Sequence, residues 1–196
     1  MTDTFDLLRG RRAVRKFKPN QVPELQLRQL IEAAALAPSA MNEQPWEFAV
    51  VTDADLLNDI SNRAKKWVLE GGSTIAQNEH LRQEFADPNF QIFHHAPALV
   101  VIATRSHSRW AALDCTLAAE NLMLAASGLG LGSCWIGMAE DWLNTPAGRS
   151  AIGLSEDSII VAPIVLGSPA EIPALVPRRA PRIVWMGDGG SRMQED

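Results

Sequence analysis

Residues 109–127, RWAALDCTLAAENLMLAAS, are long enough for about five helical turns and are apolar almost all round. Asp114, Glu120 and Asn121 interrupt the run without making a polar face. A helix of this kind is buried on every side. In a chain of 196 residues it belongs at the centre of a domain or in a large subunit interface. Gly128 follows, placed to end it in a left-handed cap.

The rest of the chain supplies what could surround that helix. A first helix is expected over about Thr4 to Arg9, and a second over Pro23 to Leu36. In the second, Leu27, Leu30, Ile31 and Ala34 follow the spacing of a buried stripe, and Pro38 stops it. Glu47 to Thr52, Ala98 to Thr104, Ser133 to Ile136, Ile159 to Leu166 and Arg182 to Met186 read as strands, with ALVVIAT (98–104) apolar enough for a central one. A further helix is expected near Trp142 to Ile152. Residues 53–93 are polar and helical in pieces, broken at Gly71-Gly72 and at Asp87-Pro88-Asn89. They could pack on the sheet or form a lid-like segment at about 60–95. With no internal repeat or linker, the chain reads as one α+β domain over 1–196.

Net charge is −5, but the positive charge is concentrated. RGRRAVRKFK (9–18) and RRAPR (178–182) hold nine of the 18 Lys and Arg and no acid. The remainder has nine basic and 23 acidic residues, a net of −14. Two basic ends on an acidic chain suit one shared small anion such as a phosphate. The acidic remainder speaks against nucleic acid. No apolar stretch reaches membrane-spanning length and no leader pattern opens the chain, so a cytoplasmic protein is expected. Cys115 and Cys134 form no disulfide framework or metal motif.

Self-sufficient catalysis finds no residues. Gly128, Gly130 and Gly132 follow a helix and precede a strand, the reverse of a dinucleotide fingerprint, and read as a cap and turn. His80, His94, His95 and His107 make no metal spacing; His94 and His95 would point to opposite sides of a strand. Neither cysteine has a base paired with it in sequence, and the chain has no Tyr. A phosphate site without a catalytic set suits a protein whose cofactor carries the chemistry.

The stretch APSAMNEQPWEFAVV (37–51) is richer than a connector between helix and strand requires. Together with RRAVRKF (11–17), GLGLGSCWIG (128–137) and PIVLGSPAEIP (163–173) leading to RRAP (178–181), it resembles the FMN-dependent nitroreductase superfamily in its short, stand-alone form. The four segments occur in order across nearly the whole chain.

That resemblance implies a central mixed, mainly antiparallel sheet flanked by helices in an intertwined homodimer, with FMN at the subunit interface. It implies an oxidoreductase in which NADH or NADPH reduces FMN and a nitroaromatic, quinone or similar electrophile reoxidises it by a ping-pong mechanism. Arg11 and Arg15 resemble the basic residues on the FMN phosphate and pyrimidine edge, with Arg12 and Ala13 contributing main-chain contacts between them. Arg179 resembles the C-terminal phosphate ligand, with Arg178 as the alternative. Pro38, Ser39, Ala40 and Asn42 resemble the loop that a partner subunit lays against the flavin. Trp135, Ile136, Gly137 and Met138 resemble the turn beside the ring. Ala13 stands where many relatives carry Ser, and Met41 where many carry a small polar residue or His; a buried Met near the flavin makes the expected pocket more apolar. Two alternatives stay open: a specialised flavin enzyme for one metabolite, and a non-catalytic FMN-binding protein.

Overall fold

The computed structural model describes residues 3–73 and 78–186, and the backbone of 192–194. In chain order its elements begin with α1 (Thr4–Gly10), α2 (Glu24–Ala35), a 3-10 turn (Ala40–Asn42), β1 (Trp46–Val51), α3 (Ala54–Trp67) with a π turn (Val68–Gly72), and α4 (Glu79–Ala86). They continue with β2 (Ala98–Thr104), α5 (Ala111–Gly128), β3 (Gly132–Trp135), α6 (Gly137–Leu143), α7 (Pro146–Ala151), β4 (Ile159–Gly167), β5 (Ile183–Trp185) and β6 (Arg192–Gln194).

All seven residues of β2 are buried, which only a central strand covered on both faces can achieve. The sheet order is β1-β2-β4-β3 and every pair is antiparallel. Alternate residues of β2 feed two cores. Leu99, Val101 and Ala103 meet Leu57, Ile60, Phe93 and Leu143 on one face. Ala98, Val100 and Ile102 meet Leu27, Leu30, Ala118 and Leu122 on the other. Helices α3 and α6 therefore cover one face, and α2 and α5 the other. The chain is α+β with a mainly antiparallel sheet, as expected; the parallel contact is a single bridge between Ala13 and Ser133.

The apolar helix is α5. It buries Cys115, Ala118, Ala119, Leu122 and Ala126 against the sheet and α2. Its opposite side leaves Trp110, Leu113 and Leu117 44%, 56% and 46% exposed. In one chain, then, the helix is not covered all round.

Two sequence expectations are corrected here. Gly128 is the last helical residue of α5; the left-handed residue is Gly130 (φ +72°). Leu131 N donates to Ala126 O at 2.8 Å and Gly130 N to Ser127 O at 3.1 Å, a Schellman pair. The helix expected near Trp142 to Ile152 is two helices. Thr145 caps the second, accepting the Gly148 N–H at 3.0 Å, and Pro146 occupies its first turn.

The segment expected to be lid-like is anchored at several points. Ile60, Ala64, Val68, Phe85, Ile92 and Phe93 are buried in the core of one face. Ser61 Oγ accepts the Ile92 N–H at 3.0 Å. Lys65 is 7% exposed and its ammonium donates to Asp87 O at 3.2 Å and Phe90 O at 2.6 Å. Lys65→Met keeps the volume but strands both carbonyls, so a loss of about 2 kcal/mol is expected in urea unfolding of the full chain. An unchanged midpoint would show that these two bonds carry no stability. Among the described residues no helix is long and apolar enough to cross a membrane.

Candidate functional site

The basic turn after α1 is stitched to the edge of the sheet. Val14 N donates to Ser133 O at 2.9 Å, Lys18 N to Ser168 O at 2.9 Å, and Ala170 N to Lys16 O at 2.9 Å. Gly132 permits this approach: a Cβ there would lie 2.7 Å from Val14 Cβ and 2.8 Å from each of its methyls. Read from sequence as part of a turn, Gly132 is a packing position, and its partner lies 118 residues away.

Stitched in this way, the turn meets the C-terminal segment. Arg9, Arg11, Arg12, Ala13, Arg15 and Arg178 line one cavity of about 710 Å³, with Phe5, Leu8, Leu175 and Val176 supplying apolar wall. The two basic ends thus converge, as their distribution predicts. No acidic residue is among those that line the cavity. Arg178 contributes to it; Arg179 is exposed and is not among the lining residues.

The arginines are not equivalent. Arg12 Nη1 donates to Arg9 O at 2.6 Å and Arg11 O at 2.7 Å, while its buried Nε has no partner. A buried guanidinium N–H without an acceptor is costly, and an anion would relieve it. Arg11 Nε lies 3.7 Å from Glu120 Oε1 on α5, an ion pair between the basic turn and that helix. Burial pushes the Cys134 thiol on β3 above its ordinary value, and the positive charge of nearby Arg15 opposes that rise; the thiol itself donates to Trp135 O at 3.6 Å. Arg15 also adds to burial in pushing His94 below its ordinary value, which leaves a neutral imidazole beside the guanidinium. His94 and His95 lie in left-handed turn conformations (φ 55° and 53°), not in a strand. Burial, then Asp114 and Glu47, push Cys115 up to about 12, which makes it inert as a nucleophile.

The turn Trp135–Met138 joins β3 to α6. Ile136 is buried and its N–H donates to Pro163 O at 2.8 Å. A Cβ on Gly137 would meet nothing within 4 Å, so the backbone there is open to approach. The turn leaves the edge strand that the basic turn joins, which brings two of the three predicted groups to one edge of the sheet.

Pro38, Ser39, Ala40 and Asn42 stand apart. Their loop enters β1, the opposite edge strand. Three strand spacings separate β1 from β3, about 14 Å at the usual interval. The loop is tightly specified: Ser39 Oγ accepts the Gln44 N–H at 3.0 Å, and Asp114 Oδ1 on α5 accepts the Ala40 N–H at 3.1 Å. Sequence reading noted Asp114 only as an interruption of an apolar helix; no local signal ties it to a loop 74 residues earlier. Met41 is 92% exposed in the single chain.

The chain and its fold have counterparts among known proteins. The model of the nitroreductase family matches residues 8–168. The chain belongs to the nitroreductase family. A Bacteroides fragilis nitroreductase solved with bound FMN superimposes with a TM-score of 0.78 at 29% identity, over 92% of this chain and 96% of that one. An FMN-dependent nitroreductase from Clostridium difficile superimposes at 0.75 with 26% identity, over 93% and 99%. In sequence, an Archaeoglobus fulgidus protein that carries the provisional name NADH dehydrogenase/NAD(P)H nitroreductase is 29% identical over 171 residues, 87% of this chain and 88% of its own. The match spans the basic turn, the loop before β1 and the turn after β3 of this nitroreductase-family chain.

Proposed function

We propose that this chain is an FMN-dependent oxidoreductase that accepts hydride from NADH or NADPH and passes the electrons to flat electrophiles such as nitroaromatics or quinones. The observation that carries this reading is the cavity in which Arg11, Arg12 and Arg15 from one end of the chain meet Arg178 from the other, beside an apolar wall. A ligand with a phosphate at one end and a flat apolar body at the other fits that division, and the unpartnered Arg12 Nε supplies a donor for the phosphate.

In this reading Arg11, Arg12 and Arg178 hold the phosphate, and Ala13 contributes main chain. Arg179, less enclosed, adds long-range charge. Arg15, close to Cys134, would face the pyrimidine edge, where its cation would favour the negative charge that reduction brings. Trp135 and Ile136 would lie beside the ring, and Gly137 and Met138, in the first turn of α6, would offer it backbone N–H groups. FMN held by these residues would supply the hydride and electron transfer, with donor and acceptor reacting in turn in a ping-pong scheme.

A second copy completes the site. Pro38, Ser39, Ala40 and Asn42 lie at the wrong edge of the sheet to touch a flavin held at the basic turn of the same chain. A partner that covers the exposed Trp110, Leu113 and Leu117 of α5 would bring its own loop across. The C-terminal residues Ile172, Leu175, Val184 and Trp185, also exposed in the single chain, suit an intertwined dimer.

The test is an anaerobic titration of the purified, FMN-loaded protein with NADH and with NADPH, followed by a panel of nitroaromatic and quinone acceptors. Bleaching by donor and recovery by acceptor are expected. Failure to bind FMN would sink the reading, and FMN bound without bleaching would reduce it to a flavin-binding protein.

A further inference from the structure

The loop at residues 38–45 is more strained than any other described segment of its length. Met41, Asn42 and Gln44 have φ of 53°, 55° and 47°. Asn tolerates the left-handed region; Met and Gln do so at a cost. Such conformations persist only where surrounding contacts over-determine them, and they cluster at functional sites. Burial does not hold this loop, since Met41 is 92% exposed. Its hold comes from hydrogen bonds, and the one that reaches into the rigid core is Ala40 N to Asp114 Oδ1.

Asp114 is a costly residue to keep there. It is 4% exposed on a helix whose neighbouring buried positions are Ala111, Cys115 and Ala118. Its Oδ2 is buried without a partner. Glu47, on the adjacent strand, brings a second carboxylate toward the same region, its Oε2 3.5 Å from Arg105 Nε. An apolar residue would pack as well and avoid the desolvation of a charge. What an apolar residue cannot do is accept the Ala40 N–H.

We propose that Asp114 is a positioning residue for the flavin-facing loop: by accepting the Ala40 N–H from inside α5, it holds Pro38 to Asn42 in the strained conformation that is presented to FMN. This rests on the FMN reading above. The group acts through the loop and does not itself touch the cofactor.

The test uses the full-length protein with three substitutions. Asp114→Ala deletes the acceptor, Asp114→Asn keeps an acceptor oxygen without the charge, and Ala40→Pro deletes the donor while leaving the carboxylate. Two quantities are read: hydrogen exchange of the Ala40 amide in flavin-free protein, and FMN affinity by quenching of flavin fluorescence. In Asp114→Ala, Ala40 exchange and the FMN Kd are each expected to rise about 10-fold or more, the loss of one hydrogen bond to a charged group. Ala40→Pro, which has no amide to follow, is expected to raise the FMN Kd by a similar factor. Asp114→Asn is expected to restore both quantities to within about 3-fold of wild type, which bare stability effects would not do. Unchanged Ala40 exchange in Asp114→Ala overturns the proposal, and so does an Asn variant as impaired as the Ala variant. A wild type that binds no FMN sinks the functional reading. A wild type that binds FMN, with Asp114→Ala binding it equally well, sinks only the Asp114 assignment.

Discussion

Arg15→Ala is expected to weaken FMN binding by about 10- to 100-fold, the range for losing a charge-assisted hydrogen bond in a desolvated site. The reason is geometric as well as electrostatic. Arg15 lines the cavity from the basic turn, which the bond from Val14 N to Ser133 O pins to β3 close to Cys134. Burial, the main cause of the lowered His94 value, stays in place in this variant, so a neutral His94 does not replace the lost charge at neutral pH. Arg15→Lys retains a cation but not the planar fork of donors, and an intermediate loss is expected. The flavin midpoint potential should fall in Arg15→Ala, because the negative charge of the reduced state loses its nearest cation. Fluorescence quenching measures the affinity and a redox titration the potential. FMN affinity equal to wild type would remove Arg15 from the site.

The convergence of the arginines was legible in the sequence, while the flavin-facing role of Arg15 is what the family resemblance implies. Charge patterning reports convergence without any knowledge of the path between: Arg11, Arg12 and Arg15 and the distant Arg178 share one sign in a chain otherwise strongly acidic. Strand β2 was equally legible, because seven apolar residues in a row have only one comfortable position in a sheet. Helix α5 was half legible. Its composition specifies that both sides are apolar, but one side meets α2 and the sheet while Leu113 and Leu117 wait exposed. The boundary between α6 and α7 was readable in principle, since Thr145-Pro146 is a helix-start signal.

What escaped reading depends on long-range pairings. Asp114 gains its role from Ala40, and Gly132 from Val14; neither partner leaves a mark near the residue it needs. The placement of the loop and the basic turn at opposite sheet edges is likewise a property of topology. The order β1-β2-β4-β3 puts residues 38–42 and 11–15 on different edges, and no periodicity in either segment encodes that separation.

Gly132→Ala is expected to destabilise the protein by about 2 kcal/mol or more and to weaken FMN binding in the same variant. The new methyl carbon would sit 2.7 Å from Val14 Cβ, closer than real carbon contacts allow, and it faces the branched side chain at its root, where no rotamer change provides relief. Either β3 or the basic turn must move. The turn is the freer partner, because the bond from Val14 N to Ser133 O is one of a few that hold it. Displacing Val14 carries Arg12, Ala13 and Arg15 with it, so a substitution that removes no charge should still impair the phosphate site. This separates Gly132 from a surface turn glycine, whose replacement by Ala at a compatible φ is neutral or stabilising. The decisive measurement is a double-mutant cycle in urea unfolding and FMN titration. Val14→Gly removes all three opposing atoms at its own cost in burial and backbone freedom. In the double variant the loss should be smaller than the sum of the two single losses by about 1 kcal/mol or more, because the clash exists only when both side chains are present. Strict additivity would mean that Gly132 does not seat the basic turn, and that the approach of Val14 to β3 does not govern how the arginines meet their ligand.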